Sequence, residues 1–150
     1  MCGIVACWGE GPVAPLLVEA LERLEYRGYD SAGIAVPAVD GRVEALRSIE
    51  RVDDLRHRTA GWAPALSATA GLGHTRWATH GEVSVVNAHP HRDCSGRIAV
   101  VHNGVLEDVT ELRRALTDAG HTIVSHTDSE LIAHLIEEAM SEDTDLAGAV

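Results

Sequence analysis

The sequence predicts an α+β layered domain. Two strand-like runs, "SAGIAV" at residues 31–36 and "GRVEALRS" at 41–48, sit at hairpin spacing around a tight Asp40-Gly41 turn. Between the strand-like runs, apolar residues recur at the 3.6-residue period of helices packed on one face. Strands and helices do not alternate as a repeating parallel βαβ fold would require, and no internal repeat is visible. The 150 residues fit one domain, which at this size buries roughly 70% of its unfolded surface.

In chain order, "GIVACW" reads as a buried strand from Gly3 to Trp8, and "GEGP" as the turn after it. A helix starts at Val13, with Leu16, Leu17, Ala20, Leu21 and Leu24 on its apolar face. Pro12 and Pro15 suit its first turn, where a missing N–H costs little. After the hairpin, "RVDDLRHR" (51–58) forms a short helix, and residues 59–70, rich in Ala, Pro and Ser, form a loop. "AGLGHTR" (70–76) leads into a long irregular stretch through Asp93, and "RIAVVHN" (97–103) is a strand that stops at Asn103-Gly104. Asp108 and Glu111 predict a capping box for the next helix, which Gly120 closes. "HTIVS" (121–125) reads as a short strand. Thr127 and Glu130 start another helix with Leu131, Ile132, Leu135, Ile136 and Ala139 on its apolar face, and a further helix begins near Thr144.

Composition narrows the function classes. The formal charge of -11 argues against nucleic acid or an anionic membrane as partner. No apolar run approaches the ~20 residues of a membrane span. Three cysteines, Cys2, Cys7 and Cys94, with no signal peptide ahead of them, fit a reducing cytoplasm better than a disulfide framework. Hydrophobic residues make up 45% of the chain with no Phe, so Leu, Val, Ile and Ala must fill the core.

The first chemical question is why a cysteine stands directly after Met1. If Met1 is removed, Cys2 carries both a thiol and a free α-amine. An α-amine titrates near ~7.7–8.0 and a thiol near ~8.5, so one residue holds a nucleophile and its base. The alternative is a small residue chosen only for processing. Cys7, inside an apolar strand, and Cys94, in a polar loop, read as structural or incidental.

Arg76 and His80 lie in "HTRWATHG" (74–81). A planar guanidinium suits a carboxylate through two parallel bonds; a solvated loop arginine is the other reading. Histidines 74, 80, 89, 91 and 102 invite a metal, but His-x5-His and His-Pro-His match no common zinc spacing and Cys-x-x-Cys is absent. No metal and no cofactor are expected, and these histidines read as loop and polar-core residues. Asn103-Gly104 is a common turn dipeptide, or an oxyanion hole built from the Asn103 amide and the Gly104 N–H. Asp128 suits a helix start or a substrate ammonium. Arg27-Gly28 reads as a helix stop.

Taken together and in order, "MCGIVA", "LEYRGYDSAGIAV", "HTRWATHG", "NAHPH", "VVHNG" and "TDSE" resemble the class II glutamine amidotransferase domain, an N-terminal-nucleophile hydrolase. "YRGYDSAG" and "HTRWATHG" resemble its amino-sugar-forming branch most closely. The resemblance covers nearly the whole chain. It implies a four-layer αββα sandwich, with residues 1–150 as its N-terminal portion and the remaining strands and the sugar-phosphate isomerase domain outside this sequence.

It also implies roles. Cys2, once terminal, attacks the side-chain amide of L-glutamine and forms a thioester. Asn103 and Gly104 form the oxyanion hole, Arg76 holds the α-carboxylate and Asp128 the α-ammonium. Trp77, Thr79 and His80 belong to the loop that closes on glutamine, and Arg27 supports the terminal cysteine. The ammonia would serve glucosamine-6-phosphate synthesis from fructose-6-phosphate, in a cytoplasmic protein that is homo-oligomeric at full length. A non-catalytic glutamine-binding or regulatory module, or service to another acceptor, is the alternative. The 150-residue piece alone is expected to be weakly active or inactive. Two departures from the family pattern stand out: Ala6 for Gly, expected to crowd a strand contact, and Val83-Ser84-Val85 for Pro-Ser-Glu, expected to loosen the loop.

Overall fold

A computed structural model describes residues 1–78, 81–140 and 146–149. Strand β1 (Gly3–Trp8) leads into α1 (Ala14–Leu24), then a 3-10 turn at Glu25–Arg27. The hairpin β2 (Ser31–Pro37) and β3 (Val43–Ser48) follows, then α2 (Val52–Thr59), a 3-10 turn at Ala63–Leu66 and β4 (Ala70–Arg76). These strands form one antiparallel sheet in the order β1-β4-β2-β3. Two short strands, β5 (His91–Arg92) and β6 (Ala99–Val100), form a second sheet. Helices α3 (Val109–Asp118), α4 (Ser129–Ala139) and α5 (Leu146–Ala149) complete the described chain.

The core lies between the first sheet and the helix pair α1 and α2. Val13, Leu17, Val18 and Leu21 of α1 and its entry, Ile34 and Val36 of β2, and Val52 and Leu55 of α2 are buried together. Alternation along β2 sends Ile34 and Val36 to that face and Gly33 to the other. There the segment leading into β5 presses on the sheet so closely that a Cβ at Gly33 would lie 2.2 Å from the His89 carbonyl oxygen. Helix α4 packs on β5 and β6, and α3 on α4, which makes the second sheet-and-helix pair. Among the described residues, no helix is long and apolar enough to cross a membrane.

The structure corrects several sequence readings. Residues 70–76, to which the sequence assigns no element, form β4, the strand between β1 and β2. Two glycines hide its pattern, and packing explains them: a Cβ at Gly71 would lie 2.8 Å from Leu17 Cδ1, and one at Gly73 3.1 Å from Leu21 Cδ1. Helix α1 therefore sits directly on this strand. The loop 59–70 contains the 3-10 turn at Ala63–Leu66. The expected strand 97–103 pairs only over Ala99–Val100.

Residues 121–125 form no strand, because other groups take their amides. His121 N donates to Leu116 O, Thr122 N to Cys94 Sγ, and Val124 N and Ser125 N to the buried Glu130 carboxylate. The Asp108/Glu111 capping box does not form, and Thr127 does not cap α4. Asp108 adopts a left-handed conformation (φ 53°) with no side-chain cap, and Thr127 turns to His91 and Ser125 instead. Gly120 does close α3: at φ 100° it lets two amides turn back to Thr117 O and Leu116 O. Leu16, Leu135 and Ala139 lie on exposed flanks rather than on the packed faces. Ala6 is exposed, so its methyl crowds no strand contact.

Candidate active site

Pairing of β1 with β4 sets Gly3 opposite Thr75, and Gly3 N donates to Thr75 Oγ1 at 3.2 Å. Cys2 is thereby held beside the end of β4. Its Sγ accepts the Trp77 N–H at 3.2 Å and lies 3.6 Å from the Trp77 carbonyl oxygen. A cavity of about 630 Å³ opens there, lined by residues including Cys2, Arg27, Arg76, Trp77, Asn103, Gly104 and Asp128. Seven of the nine site residues singled out in the sequence thus share one cavity. The other two, Thr79 and His80, lie outside the described residues.

Asn103 links the strand-end turn to the chain start: its Nδ2 donates to the Cys2 carbonyl oxygen at 3.3 Å. Its Oδ1 faces His74 Nε2 at 2.8 Å. With Oδ1 as acceptor, His74 must be the donor, so the ring is the neutral Nε2–H tautomer. Burial holds it neutral by pushing its pKa down to about 4, against the upward pull of the Asn103 bond. Sequence reading missed His74 as a site residue. Its signal was position alone, two residues before Arg76 on the same face of a strand that was not recognised.

Behind it lies a buried imidazole stack. The His74 and His89 rings stack at 4.2 Å, and His89 meets His91 edge-on at 4.5 Å. Burial pushes His91 down to about 3 and drives His89 well below the ordinary range, with the neighbouring imidazoles adding to the effect. These are polar-core histidines, as expected.

Gly104 follows Asn103 where a side chain would press on the His102 ring. A Cβ there would stand 2.6 Å from His102 Nε2, and His102 Nδ1 is in turn 3.2 Å from Ser129 Oγ. The cavity wall thus presents a side-chain amide and an adjacent glycine close to the thiol, the donor types an oxyanion needs.

Arg76, the last residue of β4, is buried, and its guanidinium reaches the Gly81 and Glu82 carbonyl oxygens at 3.4 and 3.5 Å. Burial lowers its pKa, while the Cys2 and Asp30 charges oppose that shift. The "YRGYD" segment clamps the backbone that carries it: Asp30 N donates to Arg76 O at 3.0 Å, and Asp30 Oδ2 accepts from Ala78 N at 2.7 Å. Gly28 is required by close approach, since a Cβ would lie 2.7 Å from the Arg76 carbonyl carbon. Arg27 Nη2 is 3.6 Å from Met1 Sδ, beside the chain start. Asp128 caps no helix amide; its Oδ2 accepts from Leu106 N at 2.8 Å and its Oδ1 from Ser129 Oγ at 3.2 Å. The carboxylate is thereby fixed on the cavity wall.

The two sheet-and-helix pairs, with the cavity beside Cys2 between their ends, have the fold of an N-terminal-nucleophile amidotransferase domain. The same fold is found in glutamine phosphoribosylpyrophosphate amidotransferase from B. subtilis, with a TM-score of 0.75 at 24% identity over 99% of this chain and 31% of that one. An allosteric regulatory enzyme of purine biosynthesis gives 0.78 at 25% identity, again over 99% of this chain and 31% of that one. The chain belongs to the glutamine amidotransferase domain family, whose model matches residues 33–145.

Among curated proteins it is similar to glutamine–fructose-6-phosphate aminotransferase (isomerizing) of Aeropyrum pernix, 52% identical over 140 residues, covering 92% of this chain and 22% of that protein. The protein of the same name from Methanothermobacter thermautotrophicus is 47% identical over 150 residues, covering 99% and 25%. The chain thus spans roughly a quarter of the length of these relatives.

Proposed function

We propose that this chain hydrolyses the side-chain amide of L-glutamine, with Cys2 as nucleophile after Met1 is removed, and that the ammonia serves glucosamine-6-phosphate synthesis. The observation that carries the reading is the convergence of Cys2, Asn103, Gly104, Arg76 and Asp128 on one cavity. Removal of Met1 frees the α-amine of Cys2, which takes the thiol proton as sulfur attacks the amide carbon. The oxygen of the tetrahedral intermediate is stabilised by Asn103 Nδ2 and the Gly104 N–H, each such donor contributing ~3–4 kcal/mol. The amine then protonates the departing ammonia, and water hydrolyses the thioester to glutamate.

Arg76 and Asp128 are suited to the α-carboxylate and α-ammonium of glutamine, with Arg27 supporting the terminal cysteine and Trp77, Thr79 and His80 in the closing loop. The names borne by the curated relatives favour fructose-6-phosphate as acceptor, on a sugar-phosphate isomerase domain of the longer protein. The three free cysteines suit a reducing cytoplasm, and a homo-oligomer is expected at full length.

The test is glutamate release from glutamine by the full-length protein. Activity should disappear in Cys2→Ala and in protein whose Met1 is retained. Active enzyme whose intact mass still includes Met1 would overturn the mechanism.

A further inference from the structure

A second cluster of reactive side chains lies outside the Cys2 cavity. Cys94, His121, His134 and Glu137 each offer one ligand atom, and these atoms all lie within 4.8 Å of one another. Three separate pieces of chain bring them there. Helix α4 supplies His134 and Glu137, three residues apart and so on one face. The turn that closes α3 at Gly120 delivers His121. The loop 93–98 delivers Cys94, and Asp93 shapes that loop by accepting from Ile98 N at 2.8 Å and Ser95 N at 3.1 Å.

Four of the spacings match those of ligands around one ion. Cys94 Sγ lies 3.7 Å from His121 Nδ1 and 3.6 Å from His134 Nδ1. Glu137 Oε2 lies 3.1 Å from His121 Nδ1 and 3.4 Å from His134 Nδ1. Tetrahedral zinc with ordinary bond lengths sets sulfur and nitrogen about 3.6 Å apart and oxygen and nitrogen about 3.3 Å apart.

The outer partners point the same way. His121 Nε2 faces Glu138 Oε1 at 3.4 Å, and His134 Nε2 faces Glu130 Oε1 at 3.8 Å. Each ring thus has a carboxylate on its Nε2 side, and His134 Nε2 itself is buried without a hydrogen-bond partner. A cation bound at both Nδ1 atoms would leave each Nε2–H directed toward its outer carboxylate, the usual support of metal-bound histidine. The Thr122 amide also donates to Cys94 Sγ at 3.3 Å. Glu137 is held by the Cys94 and Ser95 amides at 3.1 and 3.2 Å.

We propose that Cys94, His121, His134 and Glu137 form a structural zinc site that fastens the 93–98 loop and the end of α3 to α4. One thiolate and one carboxylate balance the two charges of the ion. Four protein ligands close the coordination shell, as in structural rather than catalytic sites. Binding releases the Cys94 proton and is therefore weakened at low pH. The site is independent of the Cys2 chemistry.

The experiment uses the full-length protein, stripped with chelator, dialysed and titrated with Co²⁺ as a spectroscopic substitute for Zn²⁺. Tetrahedral Co²⁺ with a sulfur ligand gives intense d–d bands and a thiolate-to-cobalt charge-transfer band. Both are expected to saturate at about one ion per chain and to be displaced by Zn²⁺. Cys94 is exposed, so Cys94→Ser should fold; it should lose the charge-transfer band and bind zinc at least tenfold more weakly, and His134→Gln should weaken it likewise. Only weak octahedral cobalt bands, or a charge-transfer band unchanged in Cys94→Ser, would overturn the site. So would a stripped protein whose thermal midpoint Zn²⁺ does not raise.

Discussion

His74 donates its Nε2 hydrogen to Asn103 Oδ1 at 2.8 Å, and that bond decides which end of the Asn103 amide faces Cys2. With Oδ1 engaged, Nδ2 is turned to the chain start, where it meets the Cys2 carbonyl oxygen at 3.3 Å. His74 is a positioning residue. Its Nδ1 has no hydrogen-bond partner and its ring stacks on His89, so replacement by a residue without a donor frees the Asn103 amide to turn.

His74→Ala should therefore lower kcat for glutamine hydrolysis with little change in KM. Loss of one such hydrogen bond costs roughly 0.5–1.5 kcal/mol, which corresponds to about twofold to tenfold. His74→Asn, which restores an amide donor, should recover part of the loss. Equal rises in KM for both variants would contradict the positioning role.

Gly104→Ala should lower kcat more than it lowers stability. The new methyl would stand 2.6 Å from His102 Nε2, so either the ring or the Gly104 backbone must move. Misplacing one oxyanion donor costs ~3–4 kcal/mol in kcat, while yielding of a half-exposed ring should cost stability about 1 kcal/mol. Single-turnover acylation rates and thermal midpoints separate the two.

Arg76→Lys keeps the charge and loses the planar fork. KM for glutamine should rise roughly tenfold or more, since bidentate carboxylate binding has no lysine equivalent. An unchanged KM would move the α-carboxylate away from Arg76.

Stability should fall as the pH drops below about 6.5. His74, with a folded pKa of about 4, and His91, at about 3, start from an ordinary value of 6.5, and burial pushes His89 down too. Between the folded and unfolded values the unfolded chain binds more protons, so stability rises with pH in that window and is fully present above it. Each histidine contributes about 1.4 kcal/mol per pH unit, lost progressively from 6.5 toward 4. Urea midpoints at pH 7, 6 and 5 test this; equal midpoints would contradict it.

Gly33→Ala should cost about 3 kcal/mol or more, because a Cβ there would lie 2.2 Å from the His89 carbonyl oxygen and the backbone cannot yield cheaply. Gly61→Ala, with nothing within 4 Å of its Cβ, is the control and should shift the thermal midpoint little.

Most of the first layer was legible in the sequence, because β1, α1, β2, β3 and α2 carry their own period and turn chemistry. The Asp40-Gly41 turn and the α1 residues Leu17 and Leu21 each act through neighbours in sequence. The motif residues Cys2, Arg76, Asn103 and Asp128 could be named for the same reason, since each motif is local and chemically distinctive. Only the tertiary structure decided the rest. Strand β4 has too few large apolar residues to announce itself, and its glycines make sense only beneath Leu17 and Leu21. The amides of residues 121–125 were claimed by Leu116, Cys94 and Glu130, groups that no local window connects. His74 matters because folding sets it against Asn103, and Cys94, His121, His134 and Glu137 meet only when a loop, a helix end and a helix face are brought together. Spacing along the chain records local geometry, whereas ligand sets and hydrogen bonds across long separations exist only after packing has closed the loops between them.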